Sequence, residues 1–343
     1  MKAHLARAVA AALGVALVAA CGPGAPAVPA REVVCFTSHD RMHSEPILAL
    51  FEQRTGIVVK AVYDTEATKT TQLASRLLAR KDAPEADVLW NNEVAQAELL
   101  ARAGVLEPYF PPSAAEIPAR FKDPAGHWTG FAARARVILV NTTLCSLAEA
   151  PRTLADLATP AWRGRFAIAR PLFGTTRTHM AALRAHLGGA AFEAFAEGLF
   201  ANDPVVVEGN AVARNMVAEG KIPACLTDTD DAHGAIADGR PVAMIYPDQA
   251  GMGTLVIPNT ASLIKGARHG EAARALIDFL TSAEVEGLLA QSAAAQLPVR
   301  ASVAPKSAQF RVEGLVVLDV APARMADELE ATSRFFEARL GKR

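Results

Sequence analysis

Short hydrophobic runs alternate with amphipathic stretches along the first third of the chain. The runs are rich in β-branched or aromatic residues, as buried strands are, and each precedes a stretch with apolar residues at helical spacing. The pattern predicts strands at 33–37, 57–63 and 87–90 and helices at 44–54, 70–80 and 93–102. Strands and helices in this order predict a parallel sheet covered by helices, whose ligands bind at the carboxyl ends of the strands.

The same alternation continues to the C-terminus, and no internal sequence repeat is present. Residues 153–169 read as a short helix, a turn and a strand. Further strands are predicted at 136–140, 205–207, 225–226, 242–246 and 253–258, and helices at 174–187, 210–218, 230–237, 271–280, 284–291 and 324–340.

Composition narrows the class of protein. The 343 residues, of which 51% are hydrophobic, suffice for a large core in two domains or lobes. With 35 basic and 36 acidic residues the net charge is −1, so no basic excess favours nucleic acid as a partner. Four cysteines without a C-x-x-C pair exclude a disulfide scaffold and a ribbon-type zinc site. We expect Cys35, Cys145 and Cys225 to be buried thiols.

The N-terminus reads as an export signal. Lys2 and Arg7 precede an apolar run at 8–20 that is too short to span a bilayer, which is typical of a signal peptide over residues 1–20. The run ends Ala19-Ala20-Cys21 and resembles a bacterial lipobox, which implies cleavage before Cys21 and lipidation of that residue. The alternative is a plain signal peptide that leaves Cys21 free. The Gly/Pro/Ala-rich residues 22–30 predict a tether.

A set of strings, in a fixed order, carries a resemblance to a known family. The strings are VVCFTSHD (33–40), FEQRTGIVV (51–59), ADVLWNNE–AGVLEPY (86–109), FAARARVILVNT (131–142), WRGRFAIARPLFGTTRTH (162–179), LTDTDDAHGAIADGRPVAMIYPDQ (226–249) and GTLVIPNTASLIKGARHGEAARALIDFL (253–280). Together they resemble the solute-binding proteins of ABC importers, extracellular solute-binding family 1, in the branch of the ferric-ion-binding proteins.

The resemblance implies an α/β, two-lobed periplasmic-binding-protein fold of type II. Each lobe is a mixed sheet flanked by helices, and the lobes close over a ligand in a cleft at the hinge. The implied division is 21–30 as lipidated tether, 31–132 and 253–300 as lobe 1, 133–252 as lobe 2, and 301–343 as a C-terminal helical segment that packs on the lobes. An exported, membrane-anchored periplasmic lipoprotein follows, monomeric and partnered by an ABC permease in the inner membrane.

The ferric site of that family is built on two adjacent tyrosines, and this chain has none that are adjacent. Where the pair would fall it reads Thr229-Asp230-Asp231. The resemblance places the family's histidine at Asp40 and its glutamate near Asn92 and Glu93. Asp40, Asp230 and Asp231 are therefore candidate oxygen ligands of a metal ion that binds with an anion. The two adjacent aspartates suit the ammonium group of an organic ligand equally well, and Asp228 and Asp230 alternatively cap the following helix.

A second set of residues predicts an anion site. Gly174, Thr175 and Thr176 open a helix directly after a strand, where amide N–H groups and the helix dipole favour negative charge, and Asn210 opens the next helix as a candidate N-cap. In the ferric proteins the matching segments hold phosphate or carbonate. Arg134 is a candidate to contact the anion. Ordinary capping, and surface salt bridges for Arg134 and Arg136, are the alternatives.

Further candidates lie at predicted strand ends, on the edge of the sheet where ligands bind. They are Thr37, Ser38 and His39 on the first loop, Tyr63, Thr65 and Glu66 on the second, Asn91 after the third strand, and Tyr246 near the hinge. His179, four positions after Thr175, lies near the predicted anion site.

The predicted function is a lipid-anchored protein that captures a small anionic or zwitterionic solute, or a metal ion with its anion, for an ABC importer. No resident cofactor is required. The alternatives are a ferric-iron-binding protein with carboxylate ligands, and an enzyme or sensor on the same fold. The sequence lacks a P-loop, a G-x-S-x-G and an H-E-x-x-H motif, so we expect no enzyme.

Overall fold

The computed structural model describes residues 31–64 and 72–341. The predicted signal peptide, the tether with Cys21, and the candidate ligands Thr65 and Glu66 lie outside these residues. Within them no helix has both the length and the apolar character that a bilayer crossing requires.

Strands and helices alternate along the described residues. The strands are β1 (Glu32–Thr37), β2 (Val58–Tyr63), β3 (Val88–Asn91), β4 (Leu106–Glu107), β5 (Thr129–Asn141), β6 (Phe166–Ala169), β7 (Val205–Val207), β8 (Ala224–Asp228), β9 (Val242–Ile245) and β10 (Val256–Ile264). The helices are α1 (Arg41–Thr55), α2 (Gln72–Ala79), α3 (Val94–Arg102), α4 (Gly174–Leu187), α5 (Gly189–Ala201), α6 (Asn210–Ala218), α7 (Thr229–Ala237), α8 (Gly270–Leu280), α9 (Ala283–Gln291) and α10 (Pro322–Leu340).

The strands form a mixed sheet in the order β2-β1-β3-β10-β5-β8-β6-β7, with β4 beside β10 and β9 beside β5. Strands β2, β1 and β3 are parallel and make up the first half of the sheet. Strands β8, β6 and β7 are also parallel and make up the second half. The parallel arrangement predicted from the alternation is thus present twice.

Two long antiparallel strands join the halves. Strand β5 pairs with β10 through residues 129–135 and with β8 and β9 through 136–141, so one continuous strand belongs to both halves. The prediction of a strand at 136–140 covered only its second part. The pairing of β5 with β10 shifts register between Pro258 and Asn259, close to Ala132, whose φ is 36°. This irregularity lies where the chain passes from one half to the other.

Each half has its own hydrophobic core. Phe51 and Trp90 are buried in the first, and Phe192 and Phe336 in the second. Cys35, Cys145 and Cys225 are free and buried, which confirms the expectation of buried thiols.

The C-terminal helix α10 packs on α4 of the second half and on α3 of the first. Arg102 of α3 donates to Asp327 at 2.6 Å, and Arg184 of α4 donates to Glu328 at 3.0 Å. The predicted helical segment over 301–343 begins only at Pro322, because residues 301–321 contain Pro305 and Gly314, whose φ is 85°, and form no helix.

Candidate functional site

A cavity of about 170 Å³ lies where the parallel strands of both halves end. Residues that follow β1, β3, β6, β7 and β8 reach it, as expected for a ligand site at the carboxyl edge of a sheet. It is lined by Asp40, Asn92, Glu93, Arg134, Ala169, Arg170, Phe173, Gly174, Thr175, Thr176, Glu208, Gly209, Asn210, Ala211, Asp228, Asp230 and Asp231.

The cavity wall has an excess of acidic groups. Six carboxylates line it, against the guanidinium groups of Arg134 and Arg170. At the mouth Arg170 lies 3.5 Å from Glu208, whose side chain is 82% exposed. A cation bound among these carboxylates would relieve the repulsion between their negative charges.

A buried ion pair holds together the elements of the second half. Arg136 on β5 is fully buried and donates to Asp228 at the end of β8 at 2.7 Å. Its Nη1 also donates to the hydroxyl of Thr175 at 3.0 Å, and its Nε to His179 at 3.4 Å. Burial followed by the charge of Arg136 lowers the pKa of His179 to about 3, so the ring is neutral. Arg136 is therefore not a surface residue, and the expected surface salt bridge is wrong for it.

The same carboxylate is the centre of a hydrogen-bond network. Asp228 Oδ2 accepts from the Thr175 hydroxyl at 2.6 Å and from the Asn210 amide at 3.0 Å. Burial alone would raise the pKa of Asp228, but the charges of Arg136 and Arg134 and these hydrogen bonds hold it below its usual value. Asp228 occupies the N-cap position of α7, as the capping alternative expects, but its side chain makes no capping hydrogen bond. Its carboxylate is used by the network and not by the helix start.

The two helix starts predicted from the sequence meet at this cavity. Helix α4 begins at Gly174, whose φ of 53° is one that glycine adopts without strain. Thr176 donates to the side-chain oxygen of Asn210 at 3.2 Å, which links the first turns of α4 and α6. The N-cap of α6 is Gly209, so Asn210 is the first helical residue and not the cap.

Asp230 and Asp231 lie in the first turn of α7 and line the cavity. Their carboxylates and that of Asp228 offer one oxygen each within 4.8 Å of one another, so one metal ion could contact all three. Burial raises the pKa of Asp230 to about 7. Arg134 acts against this shift, whereas the negative charges of Asp231, Asp228 and Asp40 add to it. Asp40 lines the same cavity; among the described residues it does not belong to this group of three.

A carboxylate from the first half faces this group. Glu93, between β3 and α3, is buried and accepts a short hydrogen bond from the hydroxyl of Thr178 on α4. Its other oxygen, Oε1, is buried without a hydrogen-bond partner. Burial, only partly offset by the charge of Arg134, raises the pKa of Glu93 to about 7. Arg134 donates to the carbonyl of Asn92 at 2.6 Å and lies 3.9 Å from Asp230, and its Nε has no hydrogen-bond partner.

Other candidates from the first half support the cavity wall without lining the cavity. Ser38 donates to the side-chain oxygens of Asn91 and Asn92 at 2.8 Å and 2.9 Å. Thr37 accepts from the amide of His39 at 3.1 Å, and the ring of His39 lies 5.1 Å from that of Trp90. These contacts fix the loops that carry Asp40 and Glu93.

The tyrosines lie elsewhere. Tyr63 is covered by the guanidinium group of Arg41 at 5.3 Å, and Tyr109 donates to Asp278 at 2.8 Å. Tyr246 donates to the carbonyl of Gln309 at 2.6 Å and packs against the cores of both halves. None of the three lines the cavity, so the structure does not bring Tyr63 or Tyr246 to the other candidates.

The sequence-based set of ligand candidates omitted five polar residues that line the cavity, although the resemblance places the family's glutamate near two of them, Asn92 and Glu93. The five are Asn92, Glu93, Arg170, Glu208 and Asp228. Each ends a strand or follows one within two positions. Selecting every polar residue at the carboxyl end of a predicted strand would have found them.

Comparisons with known proteins agree with this arrangement. The family model of bacterial extracellular solute-binding proteins matches residues 85–314. Iron uptake protein A1 of Synechocystis is 28% identical over 298 residues, covering 82% of this chain and 81% of that protein.

Solved structures are similar over most of the chain. Iron-bound HitA from Pseudomonas aeruginosa superimposes with a TM-score of 0.80 at 25% identity, over 89% of this chain and 99% of HitA. The periplasmic binding protein AfuA from Actinobacillus pleuropneumoniae, with fructose-6-phosphate bound, superimposes with a TM-score of 0.78 at 20% identity, over 90% of this chain and 98% of AfuA. The two-lobed α/β fold of periplasmic binding proteins is thereby established, and the chain belongs to the bacterial extracellular solute-binding proteins of ABC importers, in their ferric-ion-binding branch.

Proposed function

We propose that this protein captures a hard metal cation, ferric iron in the first place, for an ABC importer, and holds it through carboxylate oxygens. The observation that carries the proposal is the lining of the cavity, where six carboxylates face two arginines. The choice of iron among hard cations rests on the similarity to iron uptake protein A1 and to iron-bound HitA. Carboxylate oxygen is a suitable donor for hard cations.

The ligand set differs from the tyrosine pair that the resemblance implies. Asp230 and Asp231 occupy the place of that pair, Asp228 lies beside them, and Asp40 and Glu93 approach from the first half. Binding an ion between the halves draws them together, because ligands from both sides share one charge. The protein binds and releases its cargo without turnover.

A second candidate is a zwitterionic or phosphorylated solute. The specific observation is that the first turns of α4 and α6 line the cavity, whose volume of about 170 Å³ exceeds that of a single ion. Backbone amides at helix starts bind phosphate and carboxylate, and the aspartates would hold an ammonium group. The structure of AfuA with fructose-6-phosphate is a precedent on this fold.

We further propose that the protein is exported, lipidated at Cys21 and held to the membrane by a tether over residues 22–30. As a monomer it delivers its ligand to a permease in the inner membrane. The lobe boundaries we propose are 31–132 with 253–300 for the first and 133–252 for the second. Radiolabelled palmitate incorporation in the wild type and in Cys21→Ser tests the anchor.

The cation proposal is tested by removing the two charges of α7. Asp230→Asn with Asp231→Asn should lower affinity for ferric iron at least about a hundredfold, since two direct ligands lose their charge. The apo protein should unfold within a few degrees of the wild type, because loss of a favourable helix-dipole interaction is offset by relief of like-charge repulsion. Isothermal titration and thermal unfolding measure the two effects.

Asp238→Asn, at the opposite end of the same helix, is the matched control and should bind like the wild type.

The iron-loaded protein should lack a visible phenolate charge-transfer band, because no tyrosine lines the cavity. Intact iron affinity in the double variant would exclude the carboxylate site, and saturable binding of aminophosphonates or sugar phosphates in its place would establish the second candidate.

A further inference from the structure

The two strands that join the halves are out of register at one point. Strand β5 has one residue more than β10 there, because Phe131 and Ala133 pair with consecutive residues of β10 and Ala132 between them pairs with none. Ala132 has a φ of 36°, in the left-handed region that residues other than glycine occupy at a cost. A bulge of this kind persists only where surrounding groups hold it.

Side chains bind the backbone of Ala132 at this bulge. Its N–H donates to Oε1 of Glu286 at 3.1 Å, and its carbonyl accepts from the side-chain amide of Asn259. Glu286 is fully buried and also accepts from the N–H of Val299 at 2.6 Å and from Arg300 at 2.8 Å. A buried ion pair adds little net stability over apolar residues, so the backbone groups that Glu286 fixes explain its presence better.

The following residue of β5 is also bound to a segment of the first half. Ala133 pairs with Pro258, which has no N–H to donate, and its own N–H and carbonyl bond to the carbonyl and N–H of Leu297 at 2.7 Å and 2.8 Å. Leu297 belongs to the core of the first half. Strand β5 is thus held to the first half up to Ala133, and it pairs with β8 of the second half from Arg136 onward.

The other joining strand has space beside it. A cavity of about 580 Å³ lies against Val256 and Pro258 of β10, and its remaining walls come from the start of α3 and from the segments 119–124 and 315–325. Movement of β10 toward this cavity therefore meets no packed core, whereas β5 is held at Ala132 and Ala133. We expect the bend between the halves just beyond Ala133.

The bulge is connected to the ligand cavity as well. The side-chain amide of Asn259, which binds the Ala132 carbonyl, donates to the side-chain oxygen of Gln296 at 2.6 Å. The amide nitrogen of Gln296 lies 3.5 Å from Nε2 of His39, and the next residue, Asp40, lines the cavity. Contacts between buried side chains thus extend from the joining strand to a loop that contacts the ligand.

We propose that Glu286 is a positioning residue for ligand capture: its carboxylate anchors β5 to the first half at Ala132 and so sets the angle at which the second half leaves. Glu286 does not line the ligand cavity, so it acts without touching the cargo. Without this anchor the bulge has no compensation for the strain at Ala132, and β5 can leave the first half at more than one angle. The inference goes beyond the proposed function, because it holds for any ligand of the cavity.

The experiment measures the distance between the halves with no ligand present. Spin labels on Leu78→Cys in α2 and Leu187→Cys in α4, both exposed positions, report it by pulsed electron paramagnetic resonance in the full-length protein. Glu286→Met with Arg300→Met removes the anchor without leaving one charge unpaired. The distance distribution should become at least about 1.5-fold wider than in the parent. The Ala132 amide should exchange its hydrogen at least about tenfold faster, because its bond to a carboxylate is lost.

Two control variants separate the anchor from loss of charge and from loss of stability. Glu286→Gln with Arg300→Gln also removes the ion pair but keeps an oxygen that accepts from Ala132, so its distribution should match that of the parent. Leu199→Ala on α5 destabilises the core of the second half and should also leave the width unchanged. Broadening in either control, or an unchanged width in Glu286→Met with Arg300→Met, overturns the proposal.

If the double methionine variant does not fold, Asn259→Leu tests the same anchor from the other side of Ala132. This change removes the donor to the Ala132 carbonyl, and with it Oδ1 of Asn259, which is buried without a hydrogen-bond partner. The distribution should widen here too, and a width equal to that of the parent contradicts the anchoring of Ala132. Because none of these measurements includes a ligand, failure of the cation proposal does not affect them.

Discussion

Two aspartates two positions apart have opposite electrostatic environments. Asp228 is paired with Arg136 and its pKa is lowered, whereas the pKa of Asp230 is raised to about 7. The difference arises because Arg136 contacts Asp228 directly, while Arg134 is 3.9 Å from Asp230 and cannot offset its burial and like-charged neighbours. Asp228 is therefore ionised in the folded protein by its pairing with Arg136, whereas the ionised form of Asp230 needs a bound cation to stabilise it.

The raised pKa values of Asp230 and Glu93, both about 7, predict that cation binding releases protons. The bound cation favours the ionised form of both groups, so its affinity should fall as pH is lowered from 8 to 6. Below pH 7, each proton that binding displaces should lower the affinity about tenfold for every unit of pH. Titrations in buffers of different ionisation enthalpy measure the proton count. Asp230→Asn should release fewer protons, and a wild-type affinity that is constant over this range would contradict the prediction.

Lower pH weakens cation binding, but the same two carboxyl groups make the apo protein more stable as pH falls. The folded state binds these two protons more tightly than the unfolded chain, whose carboxyl groups titrate near 4. Ionisation of the buried groups therefore costs free energy above pH 7, and the cost disappears as pH falls from about 7 to about 4. Asp230 and Glu93 thus oppose the usual acid destabilisation within this window, and urea unfolding across it measures their contribution.

At the scale of elements, local patterns located the helices that carry the site more reliably than the strands between them. Helices α4 and α6 begin and end as predicted, because Gly174 and Gly220 mark their limits and apolar residues recur at helical spacing. Strand β5 is longer than its apolar pattern predicts, because Arg134 interrupts that pattern and Arg136 takes the first position of the predicted strand. Their charges are compensated by Asp230 and Asp228, some ninety residues further on, which no local pattern contains.

Local sequence patterns also fail to predict the contacts that build the cavity, because the partners are far apart in the chain. Asp228 follows the local rule for a helix cap, yet its carboxylate is used by Thr175 and Arg136, which are 53 and 92 residues away in the chain. Helix α5 was not predicted at all; Gly188 separates it from α4 and supports a φ of 82° at the junction. Local sequence therefore indicated which strand ends carry the site, while the pairing of charges required the fold.

Helix α10 provides a prediction at the level of an element. Phe336 is fully buried, with its ring centroid 5.3 Å from that of Phe200 and 6.2 Å from that of Phe192. Phe336→Ala should lower the free energy of unfolding by about 3–5 kcal/mol, through lost burial and an unfilled cavity. Ligand affinity should be unchanged at temperatures where the variant is folded. Phe335→Ala, at the partly exposed neighbouring position, should cost much less in urea unfolding; equal costs would contradict the packing described for α10.

At the scale of the whole molecule, the two halves are joined by three kinds of connection. Strands β5 and β10 run between them, α10 packs on α3 and on α4, and a hydrogen bond joins Thr178 of the second half to Glu93 of the first. The first two are covalent or extensively packed. The third involves single side chains beside the ligand site, so it is the one that opening of the cleft breaks first.

This bond predicts a coupling between closure and affinity. Thr178→Val keeps the shape of the side chain and removes the donor, and a hydrogen bond to a charged group contributes about 1.5–3 kcal/mol. Part of that free energy stabilises the closed arrangement, so ligand affinity should fall at least about threefold and the radius of gyration of the liganded protein should rise in X-ray scattering. Thr332→Val is the matched control, because that buried threonine hydroxyl on α10 has no hydrogen-bond partner. If Thr332→Val weakens binding as much as Thr178→Val, or if neither variant does, then the contact between Glu93 and Thr178 does not hold the halves together over the ligand.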